Sequence, residues 1–245
     1  MKNKNTASAP FPLWATVFTV LGMILVCGLG IWQLERLTWK NAMIAALDQA
    51  YAAKPMDTKL TYDSLMAANR AGKQFKRGHV AGQYLYQNEI AIGPRPYKGL
   101  AGYHIVTPMA LEDGGIILVN RGWVPTTRKE AKDRAEGQLA GRVIVTGLAR
   151  PPMGRGAFMP ANNPDENEWF YTDTDDVAVH FGLRQVVPFV LMAERPDHKF
   201  YSYPLPDDAK WAPRNNHLGY ALFWFSMAGA LGVVYYLRFF GGKKK

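Results

Sequence analysis

His217 is the residue of this sequence whose chemistry and position together indicate a binding site. It lies in the segment RNNHLGY, close after Arg214 and at the start of a long uncharged run, and an earlier uncharged run ends near Trp32 and Arg36. Haem requires an imidazole or similar axial ligand, an apolar slot for the macrocycle and cations near its propionates. These residues supply all three kinds of group. The alternative, which sequence chemistry alone favours, is an interfacial histidine that hydrogen-bonds to lipid headgroups or helix ends.

The two uncharged runs are long enough to cross a membrane. Residues 13–34 and 218–237 contain no Asp, Glu, Lys or Arg, and a spanning helix needs roughly 20 predominantly apolar residues. The first run is longer than the apolar region of a signal peptide and is not followed by an A-x-A-like cleavage site, so an uncleaved span is predicted. In the second run, Ala228 and Gly232 form a small-xxx-small pair that would let two helices approach closely.

The net charge of +9 leaves nucleic acid or an anionic membrane surface as the partner. Six of the nine excess charges lie on the two tails, which have no acidic residue. The positive-inside rule therefore predicts that both termini are cytoplasmic, and attraction to anionic lipid accounts for the lysine tail without nucleic acid. The N-terminal tail is no Arg-rich and Ser-rich transit segment, so we expect a bacterial inner (plasma) membrane.

These observations divide the chain into five parts. The prediction is a cytoplasmic tail (1–12), a transmembrane helix (13–34), an exported periplasmic domain (35–217), a second transmembrane helix (218–237) and a basic cytoplasmic tail (238–245). The fold class is thus an integral membrane protein whose two helices flank an α+β, mainly antiparallel β exported domain.

Hydrophobic periodicity and turn residues predict the elements of the central domain. The first helix should continue to about residue 53, followed by a polar helix that ends near Gly72. Strands are predicted over 75–85, 89–97, 102–110, 115–125, 141–150, 168–172, 185–194 and 199–203, and the segment LEDGG should join a hairpin. Thr172 or Asp173 should cap a short helix that ends at Gly182.

Signatures of catalysis are missing from the sequence. It has no phosphate-binding loop, CxxC or HExxH motif, and neither serine of the central domain lies in a G-x-S-x-G setting. Asp173, Asp175 and Asp176 lack the Gly and the terminal Glu of a calcium loop, so helix capping is the favoured use of this cluster. The single cysteine, Cys27, excludes an intramolecular disulfide. Hydrolase chemistry is therefore poorly supported by the sequence. An envelope enzyme would need an acid, base or metal cluster that forms only in the fold.

Several segments carry a resemblance to a known family. They are GIWQLERLTWK (30–40), GQY (82–84), RPY (95–97), GY (102–103), VTP (106–108), ILVNRGWVP (117–125), NNP (162–164) with Trp169 and Tyr171, and NNHLGY (215–220). In this order, and with two spans, the sequence from about residue 12 to 238 resembles the Surfeit locus protein 1 family, the assembly factors of haem-copper cytochrome oxidase.

The resemblance implies a non-enzymatic, membrane-bound assembly factor of cytochrome c oxidase that transiently binds haem a and assists its delivery to the catalytic subunit. It identifies His217 as the ligand of the haem iron. Arg36 and Trp32 of the first-span motif are further cofactor-binding candidates, with helix packing as the favoured alternative for both, and Arg214 is a candidate because of its position next to His217. The implied partners are the oxidase catalytic subunit, the lipid bilayer and the machinery of haem a synthesis, with no nucleic acid. The alternative is a scaffold that stabilises an oxidase intermediate without haem.

One motif of the resemblance has two interpretations. Asn120, Arg121 and Gly122 follow a predicted strand, and we expect them to form a tight turn. An interaction surface for the oxidase is the alternative.

Overall fold

The computed structural model describes residues 12–52, 54–195, 202–206 and 213–241. The chain forms two compact units, a helical unit (Met1–Ala45 with Ala212–Lys245) and a β-rich unit (Ala46–Trp211). In chain order the main elements are α1 (Leu13–Ala52), α2 (Tyr62–Arg70), β1 (Lys76–Tyr84), β2 (Ile90–Ile92), β3 (Gly102–Leu111), β4 (Ile116–Pro125), β5 (Val143–Arg150), α3 (Thr174–Phe181), β6 (Val186–Ala193) and α4 (His217–Phe239).

The first uncharged run and the juxtamembrane segment form one helix. α1 continues without interruption to Ala52, as the absence of Gly and Pro between residues 31 and 54 predicts. α4 extends the second uncharged run by one residue at its start and two at its end. Both helices are long and apolar enough to cross a membrane, by length and composition.

The β-rich unit is built on one six-stranded sheet of order β1-β5-β6-β4-β3-β2. β1 also pairs with β3, through Gly82–Tyr84 and Met109–Leu111, so that β1, β5, β6, β4 and β3 form a closed ring. β2 is left outside the ring, on β3. Closure removes strand edges that could otherwise pair with another chain.

The closed ring explains a departure from the predicted antiparallel sheet. Five strands cannot alternate in direction all the way around a ring, because five is an odd number. One neighbouring pair must be parallel, and it is β4 with β6, whereas the other pairs are antiparallel. The description as mainly antiparallel is therefore correct.

The two faces of the sheet pack against different helices. Side chains of successive strand residues point to opposite faces, so Ile117 and Val119 of β4 join a core with α2, while Leu118 between them joins a second core with α3. α2 begins with a capping box between Thr61 and Ser64. Burial of apolar side chains in these two cores is the main contribution that holds α2 and α3 on the sheet.

α3 has the predicted caps. The side chain of Asp173 accepts hydrogen bonds from the backbone N–H groups of Asp175 and Asp176, and Gly182 ends the helix at φ 63°. Asp173 therefore satisfies two of the four N–H groups that a helix leaves free at its start.

Two predicted strands differ in the structure. Residues 168–172 form only single bridges, from Trp169 to Ile92 and from Glu168 to Asn163. The predicted strand 89–97 is reduced to Ile90–Ile92, because Pro94 and Pro96 lack the N–H that a ladder needs. The predicted strand 199–203 falls largely outside the described residues.

The expected turn at residues 120–122 is wrong, because these residues lie inside β4. Gly122 pairs with Ile105 and Asn120 pairs with Val106, so Arg121 is the extra residue of a bulge. A bulge redirects side chains, and here it turns Arg121 inward to a side-chain exposure of 8%. The alternative, an interaction surface for the oxidase, stays a prediction, although the side chain of Arg121 itself is buried.

Arg121 belongs to a buried ion cluster with Glu89 and Arg134. Its guanidinium lies 3.2 Å from the Glu89 carboxylate, which also pairs with Arg134 and accepts a 2.8 Å hydrogen bond from Thr107. The same guanidinium lies 4.9 Å over the ring of Tyr84. The cluster attaches the segment that contains Arg134 to β3 and β4.

Candidate functional site

The helical unit is an antiparallel pair made by α1 and α4. Thr16 hydrogen-bonds to the hydroxyl of Tyr235 near one end of the pair. Towards the other end, a Cβ added to Gly30 would lie 2.8 Å from the ring of Phe225, and His217 meets Gln33. The contacting positions move towards the C-terminus of α1 as they move towards the N-terminus of α4, so the two helices are antiparallel.

Buried residues, three of them Gly or Ala, line the seam between the two helices. Val26, Gly30 and Gln33 are buried at i, i+4 and i+7 on α1, and Ala221 and Ala228 are buried seven residues apart on α4. Close approach of backbones over small residues is the usual basis of helix association in a bilayer. The seam includes Ala228, one member of the predicted small-residue pair.

His217 is held by Gln33 at one end of this seam. Its Nδ1 lies 2.7 Å from Oε1 of Gln33, whose side chain is buried. An amide oxygen accepts, so the Nδ1–H of His217 donates. A neutral imidazole with its proton on Nδ1 carries its lone pair on Nε2, and a hydrogen bond from the distal nitrogen is the usual support of a histidine metal ligand.

A second amide contact lies beside this pair. Asn215 donates through Nδ2 to Oδ1 of Asn41, 2.8 Å away. Oδ1 of Asn215 is buried, and no donor among the described residues is within hydrogen-bond distance of it. Asn215, two residues before His217, therefore has a hydrogen-bond acceptor for which the described residues supply no donor.

Among the contacts of the described residues, none joins His217 to the other predicted site residues, which are Arg36, Arg214 and Trp32. Arg36 lies with its guanidinium 4.7 Å over the ring of Trp39, Arg214 is exposed, and the Trp32 side chain is half exposed. Arg36 is one turn beyond Gln33 on α1, and residues at i and i+3 are neighbours on a helix surface. Arg36 is therefore a neighbour of Gln33 on the surface of α1, and Arg214 precedes His217 by three positions in the chain.

Gln33 is the functional candidate that the sequence analysis did not name. It carries the only side-chain amide in the uncharged run 13–34. A polar side chain in a predicted span is expected to face a partner rather than lipid, because burial in hydrocarbon without a hydrogen bond is unfavourable. That signal could have identified Gln33, although not its partner.

The outer faces of both helices are apolar and exposed. Phe18 and Leu25 on α1 and Val234 and Leu237 on α4 each expose more than half of their surface. Such a continuous apolar surface is uncommon on soluble proteins. Beside the oriented imidazole of His217, the exposed apolar side chains are those of Ile31, Leu218 and Leu222. An imidazole and an apolar surface are two of the groups that a haem site requires.

Histidines elsewhere have separate local partners. His79 contacts the backbone oxygen of Pro55, His104 contacts Asn120, and His180 packs edge-on against Trp169. The described residues include no group of three or more His, Cys, Asp or Glu side chains that could hold a metal ion. His198 lies outside the described residues.

Comparison with known proteins assigns the chain to a family. The model of the SURF1 family matches residues 20–229, which include both His217 and Gln33. The chain belongs to the SURF1 family. This match covers the motif segments that carry the resemblance and most of both apolar helices, so it extends over the helical unit as well as the β-rich unit.

Individual relatives within the SURF1 family are similar over most of their length. A SURF1-like protein from Monosiga brevicollis is 30% identical over 233 residues, covering 90% of this chain and 86% of the relative. Surfeit locus protein 1 from Homo sapiens is 31% identical over 235 residues, covering 88% and 74%. The protein of the same name from Mus musculus is 30% identical over 231 residues, covering 86% and 71%.

Proposed function

We propose that this SURF1 family member is a membrane-bound, non-enzymatic assembly factor of haem-copper cytochrome c oxidase, which binds haem a and assists its delivery to the catalytic subunit. Family membership supports the assembly role. The observation that carries the haem role is the hydrogen bond between Gln33 and His217, which orients an imidazole at one end of the helix seam.

Each residue of the site has a distinct part in this proposal. His217 offers Nε2 to the iron, and Gln33 holds the ring in the required tautomer. Arg36 and Arg214 would neutralise propionates, and the half-exposed indole of Trp32 would contact the macrocycle. Haem is the cargo in this proposal. The chain orients the imidazole that binds the iron and supplies the positive charges that bind the propionates.

We also propose that α1 and α4 span the membrane with both termini on the cytoplasmic side. The antiparallel pairing of two apolar helices and their exposed aliphatic faces support this arrangement. The charge of the tails favours this orientation, and the location we propose is a bacterial inner membrane with the β-rich unit in the periplasm.

Labelling with a membrane-impermeant maleimide tests the topology. In a Cys27→Ser background, a cysteine at Lys132 should react in intact spheroplasts, whereas a cysteine at Lys4 should react only after lysis. The reverse pattern, or equal reaction of both before lysis, would contradict the proposed orientation.

The haem role is tested on the full chain produced in a host that makes haem a. The purified wild type should carry haem with a defined absorption spectrum, and His217→Ala should lose most of it. His180→Ala removes an exposed imidazole from the β-rich unit and is the matched control, which should retain wild-type haem content.

Two outcomes distinguish the alternatives. Wild-type haem content and an unchanged spectrum in His217→Ala would show that this residue is not the iron ligand. A wild-type protein that copurifies with the oxidase catalytic subunit but carries no haem would support the scaffold that acts without a cofactor.

A further inference from the structure

A cleft of about 220 Å³ lies in the β-rich unit, apart from the residues assigned to haem. Strands β2, β3, β4, β5 and β6 contribute lining residues to it, as does the segment that follows β5. Sites for whole small molecules measure roughly 300–1,000 Å³. The cleft is therefore better matched to one or two side chains or a chain end than to a large cofactor.

Cationic and neutral polar groups form one part of this cleft. Arg95, Arg150 and His104 line it together with Asn120, and none of its described lining residues is a carboxylate. Arg95 is held in place because its Nη2 donates a 2.7 Å hydrogen bond to the backbone oxygen of Phe170. A guanidinium has five N–H donors, so Arg95 retains the capacity to bind an anion as well.

Apolar groups form the other part. Met153, Met159 and Met192 line the cleft, and unbranched thioether side chains adapt readily to the shape of a partner. The ligand chemistry indicated by the lining is thus a negative group next to an apolar one.

The segment after β5 also carries a solvent-exposed aromatic side chain. Phe158 is fully exposed and Met153 is 58% exposed. The loop beneath the ring is ordered by its own hydrogen bonds, since Arg155 Nε donates to the oxygen of Met159 at 2.7 Å and Met159 N donates to the oxygen of Gly156 at 3.0 Å. A large aromatic side chain on an ordered loop is typical of an anchor at a protein interface.

We propose that this cleft and Phe158 form a docking site for a protein segment that presents a carboxylate beside an apolar side chain. Arg95 and Arg150 recognise the carboxylate through charge-assisted hydrogen bonds, the methionines contain the neighbouring side chain, and Phe158 packs on the chain that leads into the cleft. Charge complementarity selects this occupant, because the lining offers donors and cations to it. None of the residues that line the cleft is one assigned to haem binding.

The test is titration of the full-length chain in detergent micelles with short fluorescent peptides, followed by anisotropy. The panel contains peptides that end in a free-carboxylate Leu or Phe, their C-terminal amides, and an amidated peptide with an internal Glu-Leu pair together with its Gln-Leu counterpart. At least one carboxylate peptide should bind, and its uncharged counterpart should bind about tenfold more weakly or worse, since a hydrogen bond to a charged group contributes about 1.5–3 kcal/mol.

Two variants and two matched controls locate the binding. Arg150→Gln should weaken the peptide about tenfold, and Phe158→Ala, which removes a fully exposed ring, should weaken it severalfold without affecting folding. Arg184→Gln and Val179→Ala remove an exposed cation and an exposed apolar side chain that do not line the cleft, and should leave binding unchanged.

Three results would overturn the proposal. One is the absence of binding across the peptide panel. A second is equal affinity for acid and amide peptides, or equal effects of Phe158→Ala and Val179→Ala. The third is complete displacement of the peptide by inorganic phosphate at equal concentration, which would identify an anion site that makes no use of the apolar groups.

Discussion

His217, the first residue of α4, donates a hydrogen bond through Nδ1 to Oε1 of Gln33 in α1, over 2.7 Å and across 184 positions of sequence. The contact joins the two halves of the helical unit at the histidine proposed to bind iron. It also accounts for a buried polar side chain in an otherwise apolar run, because each partner satisfies the hydrogen bond of the other.

Gln33→Leu should reduce haem retention by roughly 10–100-fold, the usual effect of removing the group that supports a metal-binding histidine. Gln33→Glu keeps an acceptor opposite Nδ1 and should retain haem, with a lower iron reduction potential because the ring becomes a stronger donor. Haem content, absorption spectrum and potential of the purified variants are the measurements. Equal retention in Gln33→Leu and wild type would exclude a positioning role.

Gly30→Leu should disrupt the helix pair, because a Cβ there would lie 2.8 Å from the ring of Phe225. Overpacking of this kind typically costs about 1–3 kcal/mol. Gly28 has no atom within 4 Å of an added Cβ, so Gly28→Leu is the matched control and should behave as wild type. Thermal unfolding in detergent, followed by far-ultraviolet circular dichroism, measures both, and equal stability of the two variants would refute the packing argument.

Glu89→Ala should destabilise the β-rich unit by about 3–5 kcal/mol, because Arg121 and Arg134 would remain buried without a counter-charge. The control is Glu112→Ala. Glu112 also meets two cations, Lys59 and Arg142, but at an exposed position.

Urea unfolding of the full chain compares the two variants. Solvent screens the pairs of Glu112, so its loss should change the free energy of unfolding far less. Similar losses of unfolding free energy in the two variants would show that burial does not determine how much the Glu89 cluster stabilises the fold.

Alkaline pH should weaken the fold through Tyr84. Burial raises the pKa of its phenol to about 12, against the opposing effect of Arg121. In the unfolded chain the phenol titrates near pH 10, so between these values the unfolded state has lost a proton that the folded state keeps. Stability therefore falls as pH rises from about 10 to 12, by about 1.4 kcal/mol for each pH unit from this group.

Tyr84→Phe tests this dependence directly. The variant lacks the proton in question, so its stability should decline less steeply than that of wild type over the same range. Urea unfolding at several pH values between 9 and 12 measures the two slopes, and parallel slopes would contradict the assignment to Tyr84.

Features with a local physical cause could be predicted from the sequence. The uncharged runs identify α1 and α4 because helix length and hydropathy are properties of a single segment. The hairpin of β3 and β4 and the capping of α3 by Asp173 likewise depend on residues close together in the chain. Family membership also followed from short motifs in order.

The tertiary structure alone decided features that depend on long-range pairing. Gln33 meets His217, β6 inserts between β5 and β4, and Arg121 turns inward because of a bulge. In each case the local pattern shows that a group needs a partner but does not identify it, since the partner is selected by which distant segments pack together. The sequence by itself therefore determined which segments are helices and strands and which histidine to suspect, while packing decided what orients that histidine and which charges are buried.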